Sequence, residues 1–331
     1  MNEQDRADDQ GVFRALLGDG RPLLVFTGLC LVLSGLFALF LSATGRFLPH
    51  DVQFLGMTAE ELCDVAGSRV VHFMFHDRVA FGGSLVAVGA LYMWLAAFPL
   101  RRGEPWAWWL LVVSGLVGFG SFLTYLGYGY LDSWHGVATL LLLPCFVAGL
   151  AKSHSLLTPP FSIRSLLTPG ITVPWKSRLG VGRICLLATA IGMVMAGLTI
   201  TVVGMTRVFV PTDLVFIGLS RSQLGDINSN LIPLIAHDRT GFGGGICACG
   251  ITVLFCVWCA RPSRSLWQVL CIAGLAGFGA AIGIHPIVGY TDLMHLAPAF
   301  AGALMFATGL ALAAGPMLSP RKIPSPAPSG G

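Results

Sequence analysis

Eight stretches of this chain are each long and apolar enough to cross a bilayer: roughly residues 22–44, 72–99, 106–128, 133–152, 182–204, 234–260, 267–288 and 294–314. About 20 apolar residues span the hydrocarbon core as a helix. Inside lipid every backbone donor and acceptor needs a partner within its own segment, so such runs must be helical. A transmembrane barrel would show short alternating strands, and none is legible. The expected fold class is therefore all-α and integral to a membrane. Charged residues are 11% of the 331 positions, against about 25% in a soluble domain, which excludes an ordinary soluble enzyme. No P-loop, GxSxG elbow or dinucleotide fingerprint after a strand is present, so neither nucleotide nor hydrolase chemistry has support.

Lysine and arginine set the expected orientation. Only six of the 20 fall on the side opposite the N-terminus: Arg46, Arg69, Arg78, Arg207, Arg221 and Arg239. The positive-inside rule then places both termini in the cytoplasm, in a cell (inner) membrane. The net charge of +4 reflects this topology and gives no sign of nucleic-acid binding. Residues 1–21 are of mixed charge and lack the basic-then-apolar order of a cleavable leader, so the first span is expected to be retained. The nine cysteines lie mostly within spans. Cys256 and Cys259 form a CxxC on an apolar helix and read as small packing residues in preference to a redox pair. Cys63 alone lies in an outer loop, so no disulfide framework is expected.

The chain repeats itself. "LPHDVQFLGMTAEEL" is matched by "VPTDLVFIGLSRSQL", "HDRVAFGG" by "HDRTGFGG", "GLVGFG" by "GLAGFG", and "GYLDSWH" by "GYTDLMH", in the same order. His76 and His135 are 59 residues apart, and His237 and His295 are 58 apart. Each copy holds four spans, an even number, so the copies are expected to share one orientation as a parallel repeat. The expected organisation is an N-terminal tail (1–21), a first four-helix repeat (22–152), a cytoplasmic linker rich in Pro and Ser (153–181), a second repeat (182–315) and a C-terminal tail (316–331). Thr58-x-x-Glu61 and Ser220-x-x-Gln223 predict capping boxes that open short helices in the outer loops. Asp51 and Asp213, with Pro49 and Pro211, read as turn chemistry. Gly115, Gly118, Gly120, Gly274, Gly277 and Gly279 read as points of close helix approach.

Histidine supplies the candidate site. Seven of the eight fall in the outer half: His50, His72, His76, His135, His237, His285 and His295. Ionisable groups at membrane depth are costly and mark function by default. Asp132 and His135, like Asp292 and His295, share a helical face at three-residue spacing. Gly83 lies two turns below His76, and Gly244 two turns below His237, where a missing side chain leaves room for a flat ligand. Arg78 and Arg239 are suited to a carboxylate or phosphate. Three readings of these residues stand open. In the first, His76 with His135, and His237 with His295, ligate haem b, with Gly83 and Gly244 admitting the ring and Arg78 and Arg239 meeting propionates. In the second, His76, Asp132 and His135 hold a single Fe, Mn or Zn ion, and His237, Asp292 and His295 another. In the third, the polar residues only lock helix ends together. A redox role would call for an electron partner. A small-anion transporter with Arg78 and Arg239 as contacts, and a structural subunit of a membrane complex, are the alternatives from other classes. No reaction is legible.

This layout resembles the haem A synthase family, which has eight spans in two four-helix bundles and histidines on helices two, four, six and eight near the outer face. In that family one bundle holds a haem b and the other handles the haem substrate. The resemblance implies His76, His135, His237 and His295 as ligand positions. It covers residues 22–315 and is one of architecture. The family's motif has a Glu three residues before His-Arg, where this chain has Phe73 and Leu234, with an Asp between His and Arg. The family's outer-loop cysteine pair is missing.

Overall fold

The computed structural model describes residues 17–130 and 133–319. Eight long helices correspond to the eight apolar runs: α1 (Arg21–Ala43), α4 (Ser68–Ala97), α5 (Pro105–Leu123), α6 (Ser133–Ser153), α7 (Arg178–Met205), α10 (Leu231–Cys259), α11 (Arg264–Val288) and α12 (Leu293–Leu318). Four short helices, α2 (Pro49–Leu55), α3 (Ala59–Ala66), α8 (Pro211–Ile217) and α9 (Arg221–Ile227), lie in two connections at the end of the bundle opposite both termini. No strand occurs among the described residues.

Both predicted capping boxes form. The Thr58 hydroxyl accepts from the Glu61 N–H and the Glu61 carboxylate from the Thr58 N–H. Ser220 and Gln223 do the same. The Thr58 N–H, aided by the Thr58 side chain, holds the Glu61 carboxyl below its usual range.

Two helices form the centre. In α4 and α10, 72% of the most apolar window is buried inside the protein, against 22–33% in the other six. A helix buried on all sides has no lipid face, so it lacks an amphipathic stripe. This explains why His76 and Asp77, about 100° apart on one helix, are both buried. α4 packs on α1, α11 and α10, and α10 packs on α7, α5 and α4. Each central helix therefore touches helices from both halves of the chain.

Glycines allow these approaches, two of them (Gly82 and Gly243) within the repeated octets and the rest outside the matched motifs. A Cβ on Gly28 of α1 would lie 2.7 Å from the Gly89 carbonyl of α4, and seven residues along, Gly35 and Gly82 meet in the same way. In the second half Gly197 meets Gly243, and Gly250 faces Ala190. With lipid on both sides there is little hydrophobic drive between helices, and close van der Waals contact over small residues holds them together. The glycines predicted for that role behave differently. Gly115 and Gly274 receive the rings of Phe146 and Phe306, while Gly120, Gly277 and Gly279 have open space where a Cβ would sit. A valine at position 89 should therefore overpack α1 against α4 and cost about 1–3 kcal/mol, whereas Gly120→Val should be nearly neutral; thermal unfolding in detergent checks both. The Glu61 cap should contribute stability above the ordinary carboxylate range and lose it as pH falls through the lowered folded value. Glu61→Gln should flatten that acid limb of a pH–stability curve.

Candidate functional site

The two His-Asp-Arg triplets lie side by side, because α4 and α10 are neighbours. Each arginine reaches across to the other triplet's aspartate. Arg78 Nε donates to Asp238 Oδ2 at 2.8 Å, and Arg239 Nε lies 3.5 Å from Asp77 Oδ2. Each also binds the acid at the start of its own half's loop helices: Arg78 Nη1 donates to Asp51 Oδ2 at 2.7 Å, and Arg239 Nη1 to Asp213 Oδ2. Asp51 and Asp213 accept from the N–H of Leu48 and Val210, as the turn reading requires. They are also buried counter-ions, which that reading missed. Arg239 Nη1 further donates to the Val208 carbonyl at 3.0 Å. Val208 is held at φ 69°, a left-handed conformation that costs a β-branched residue about 1–3 kcal/mol.

Two tyrosines complete the network. Tyr130 donates to Asp51, and Tyr290 donates to Asp213 Oδ1 at 2.9 Å. Burial pushes the Tyr290 hydroxyl well above its usual pKa. It therefore remains a hydroxyl that also accepts from His295 Nδ1, 3.2 Å away. A roof of apolar side chains from the loop helices and helix ends, including Phe47, Leu62, Phe73, Phe209 and Leu224, covers these groups. With its carboxylates ionised the network holds four acids (Asp51, Asp77, Asp213, Asp238) against two guanidiniums, an excess of two negative charges.

The aspartates also fix the histidines. His76 Nδ1 lies 3.0 Å from Asp77 Oδ1, and His237 Nδ1 lies 3.1 Å from Asp238 Oδ1. A carboxylate at Nδ1 holds the proton there and turns the lone pair of Nε2 outward, the arrangement common behind metal-bound imidazoles. His76 Nε2 faces His285 Nε2 at 3.1 Å. His76, His285 and His295 each offer a ligand nitrogen, all within 4.8 Å of one another. His237 Nε2 faces His135 Nδ1 at 3.1 Å. The expected pairs, His76 with His135 and His237 with His295, are thus replaced by crossed ones. His285 meets His76 because α4 packs on α11 across the two halves, and His135 comes to His237 from the start of α6, which packs on α5, the neighbour of α10.

Other expected site residues take different places. Gly83 lies against α11, where an added Cβ would be 2.6 Å from the Ala276 carbonyl, and Gly244 lies against Ser121 of α5. They are helix crossing points and leave no slot for a flat ligand. Arg78 and Arg239 each sit against two carboxylates of the protein itself through Nε and Nη1. The Asp292 carboxylate caps α12 by accepting from the His295 N–H at 2.7 Å and is exposed. It is a cap and not a ligand of the cluster. Asp132 lies outside the described residues.

His285 was legible only as one of the outer histidines. The first copy is one residue shorter here, between Gly120 and Gly129, than the second between Gly279 and Gly289. The first tightens into 3₁₀ helix over Thr124–Tyr128, whereas α11 stays α-helical through Val288. A 3₁₀ turn rises about 2.0 Å per residue against about 1.5 Å, so the shorter segment covers the same depth. It carries no histidine. Tyr130, Tyr290, Asp51 and Asp213 were visible as polar residues identical in both copies of an apolar chain.

Comparison with protein-family models, curated proteins and solved structures returned no match. Over the described residues the chain is helical, with eight helices long and apolar enough to cross a membrane, buried His, Asp and Arg groups, and a three-histidine cluster able to hold a metal ion. Replacing Arg239 with Met should leave Asp77 and Asp213 uncompensated and cost about 3–5 kcal/mol, measured as a fall in detergent unfolding stability.

Proposed function

We propose that this protein is a membrane metalloprotein whose centre is a first-row metal ion held by His76, His285 and His295, in a redox role if the ion is iron. The observation that carries the reading is the convergence of three imidazole nitrogens within 4.8 Å of one another. Imidazole sets suit iron and zinc. Two nitrogens bound at about 2.0–2.1 Å in tetrahedral geometry are about 3.3 Å apart, whereas axial ligands on opposite faces of a haem are about 4 Å apart. The His76 and His285 Nε2 atoms, at a hydrogen-bond distance of 3.1 Å, need to part less to hold an ion than to admit haem b. Asp77 and Tyr290 would orient two of the ligands from behind, and the apolar roof would exclude water. The halves are read as same-orientation repeats in a cytoplasmic membrane with both termini inside, and the His135–His237 pair as the diverged counterpart of the three-histidine cluster.

Elemental analysis and the absorption spectrum of protein purified from metal-replete cells test this. About one iron or zinc per chain without a Soret band is expected. His285→Ala should empty the site, His135→Ala should leave it filled, and Asp77→Asn should weaken metal affinity by about 10–100-fold. A Soret band would move the assignment to haem, and neither metal nor haem would remove it.

A further inference from the structure

Beside the three histidines lies a cavity of about 710 Å³, enclosed by α4, α7, α10, α11 and α12. This is within the range of small-molecule sites, about 300–1,000 Å³. Its histidines and its arginine gather at one end, where His76, His285, His295 and Arg239 line it; Ser84, Thr199 and Thr189 add single hydroxyls further along, and the far end is otherwise lined by apolar residues such as Val253, Ala273, Met305 and Phe306. From His285 to Ala273 is twelve residues of one helix, about 18 Å, so the cavity is long as well as roomy. α7 and α12 are in contact where Gly182 meets Gly309. Towards the histidine end, Gly192, Ala196 and Thr199 on α7, and Pro298 and Ala301 on α12, line the cavity and are accessible, so the cavity is open and not sealed between these two membrane-length helices. Access is therefore from the lipid phase.

The charges narrow the ligand further. Arg239, the one guanidinium lining the cavity among the described residues, is already engaged by Asp213 and Asp77, so it offers an anionic head such as a carboxylate or phosphate no uncompensated charge. A neutral oxygen-bearing head meets only donors and acceptors.

We infer that this cavity binds a neutral, lipid-soluble molecule with a carbonyl- or hydroxyl-bearing head and a long apolar tail, of the quinone or prenyl-alcohol class, its head against the three histidines. The inference gives the proposed metal centre a substrate class. It rests on that reading for the ion beside the head, but not for the cavity itself.

Gly192 and Gly277 line the cavity, and a Cβ on either meets nothing within 4 Å. Leucine at each would therefore fill the cavity without disturbing a helix contact. Decylubiquinone titrated into the full chain in nanodiscs should bind saturably at about one per chain. Gly192→Leu and Gly277→Leu should each weaken it at least tenfold while thermal stability and metal content stay at the wild-type level. Palmitate, with an anionic head, should not compete. Absence of saturable binding, binding undiminished in both leucine variants, or equal binding of palmitate would overturn the inference. Metal content measured on the same samples separates the two readings. Metal without quinone binding removes only this one, whereas quinone binding without metal upholds it and removes the metal centre.

Discussion

The exchange of arginine–aspartate contacts between α4 and α10 is the interaction on which the rest of this structure depends. A charged side chain at membrane depth is tolerated only when paired. Each central helix carries an acid and a base next to each other in sequence, and neighbours on a helix point about 100° apart. Arg78 and Asp77 therefore cannot neutralise one another, and each finds its partner on α10. The contacts to Asp51 and Asp213 extend the same logic to the loop helices, whose apolar residues then roof the network. Ion pairs of this kind add little net stability compared with a hydrophobic replacement, but losing one partner is costly. Their effect is to fix which helices stand in the centre and in what register.

The functional groups inherit this arrangement. Because α4 and α10 are buried on every side, each presents its histidine to helices of the opposite half, and every imidazole cluster is shared between halves. A half of this chain on its own would hold neither cluster. The copies have also diverged at one informative point. The α-helical end of α11 brings His285 to His76, while the shorter 3₁₀ segment of the first copy has no histidine to bring to His237. The three-histidine cluster and the large cavity consequently lie together, on the side formed mainly by the second half.

Much of this was legible in the residues. The eight spans follow from run length, the capping boxes from their spacing, and the concentration of histidine at one end from topology. The paired copies also marked Asp51, Asp213, Tyr130 and Tyr290 as identical polar positions. Local rules misled where a residue had a second, distant partner. Asp51 satisfies a turn and a buried arginine at once, and only the turn is visible within a few residues. Asp292 shares a face with His295, as its spacing says, yet its carboxylate bonds the backbone. Gly83 and Gly244 leave space along their own helices, which Ala276 and Ser121 of neighbouring helices fill.

The sequence by itself determined that this chain is helical, with eight runs long and apolar enough to span a membrane, a set of motifs that occurs twice in the same order, and histidines gathered at one end. Those properties depend on run length, composition and short-range spacing, which are complete in the linear order. Only the tertiary structure decided that histidines pair across the halves, that Arg78 and Arg239 are occupied by carboxylates, and that the cavity lies beside His285. Which face of a fully buried helix meets which neighbour depends on glycine contacts and charge partners far apart in the chain, and an all-round apolar helix carries no periodic stripe to announce them.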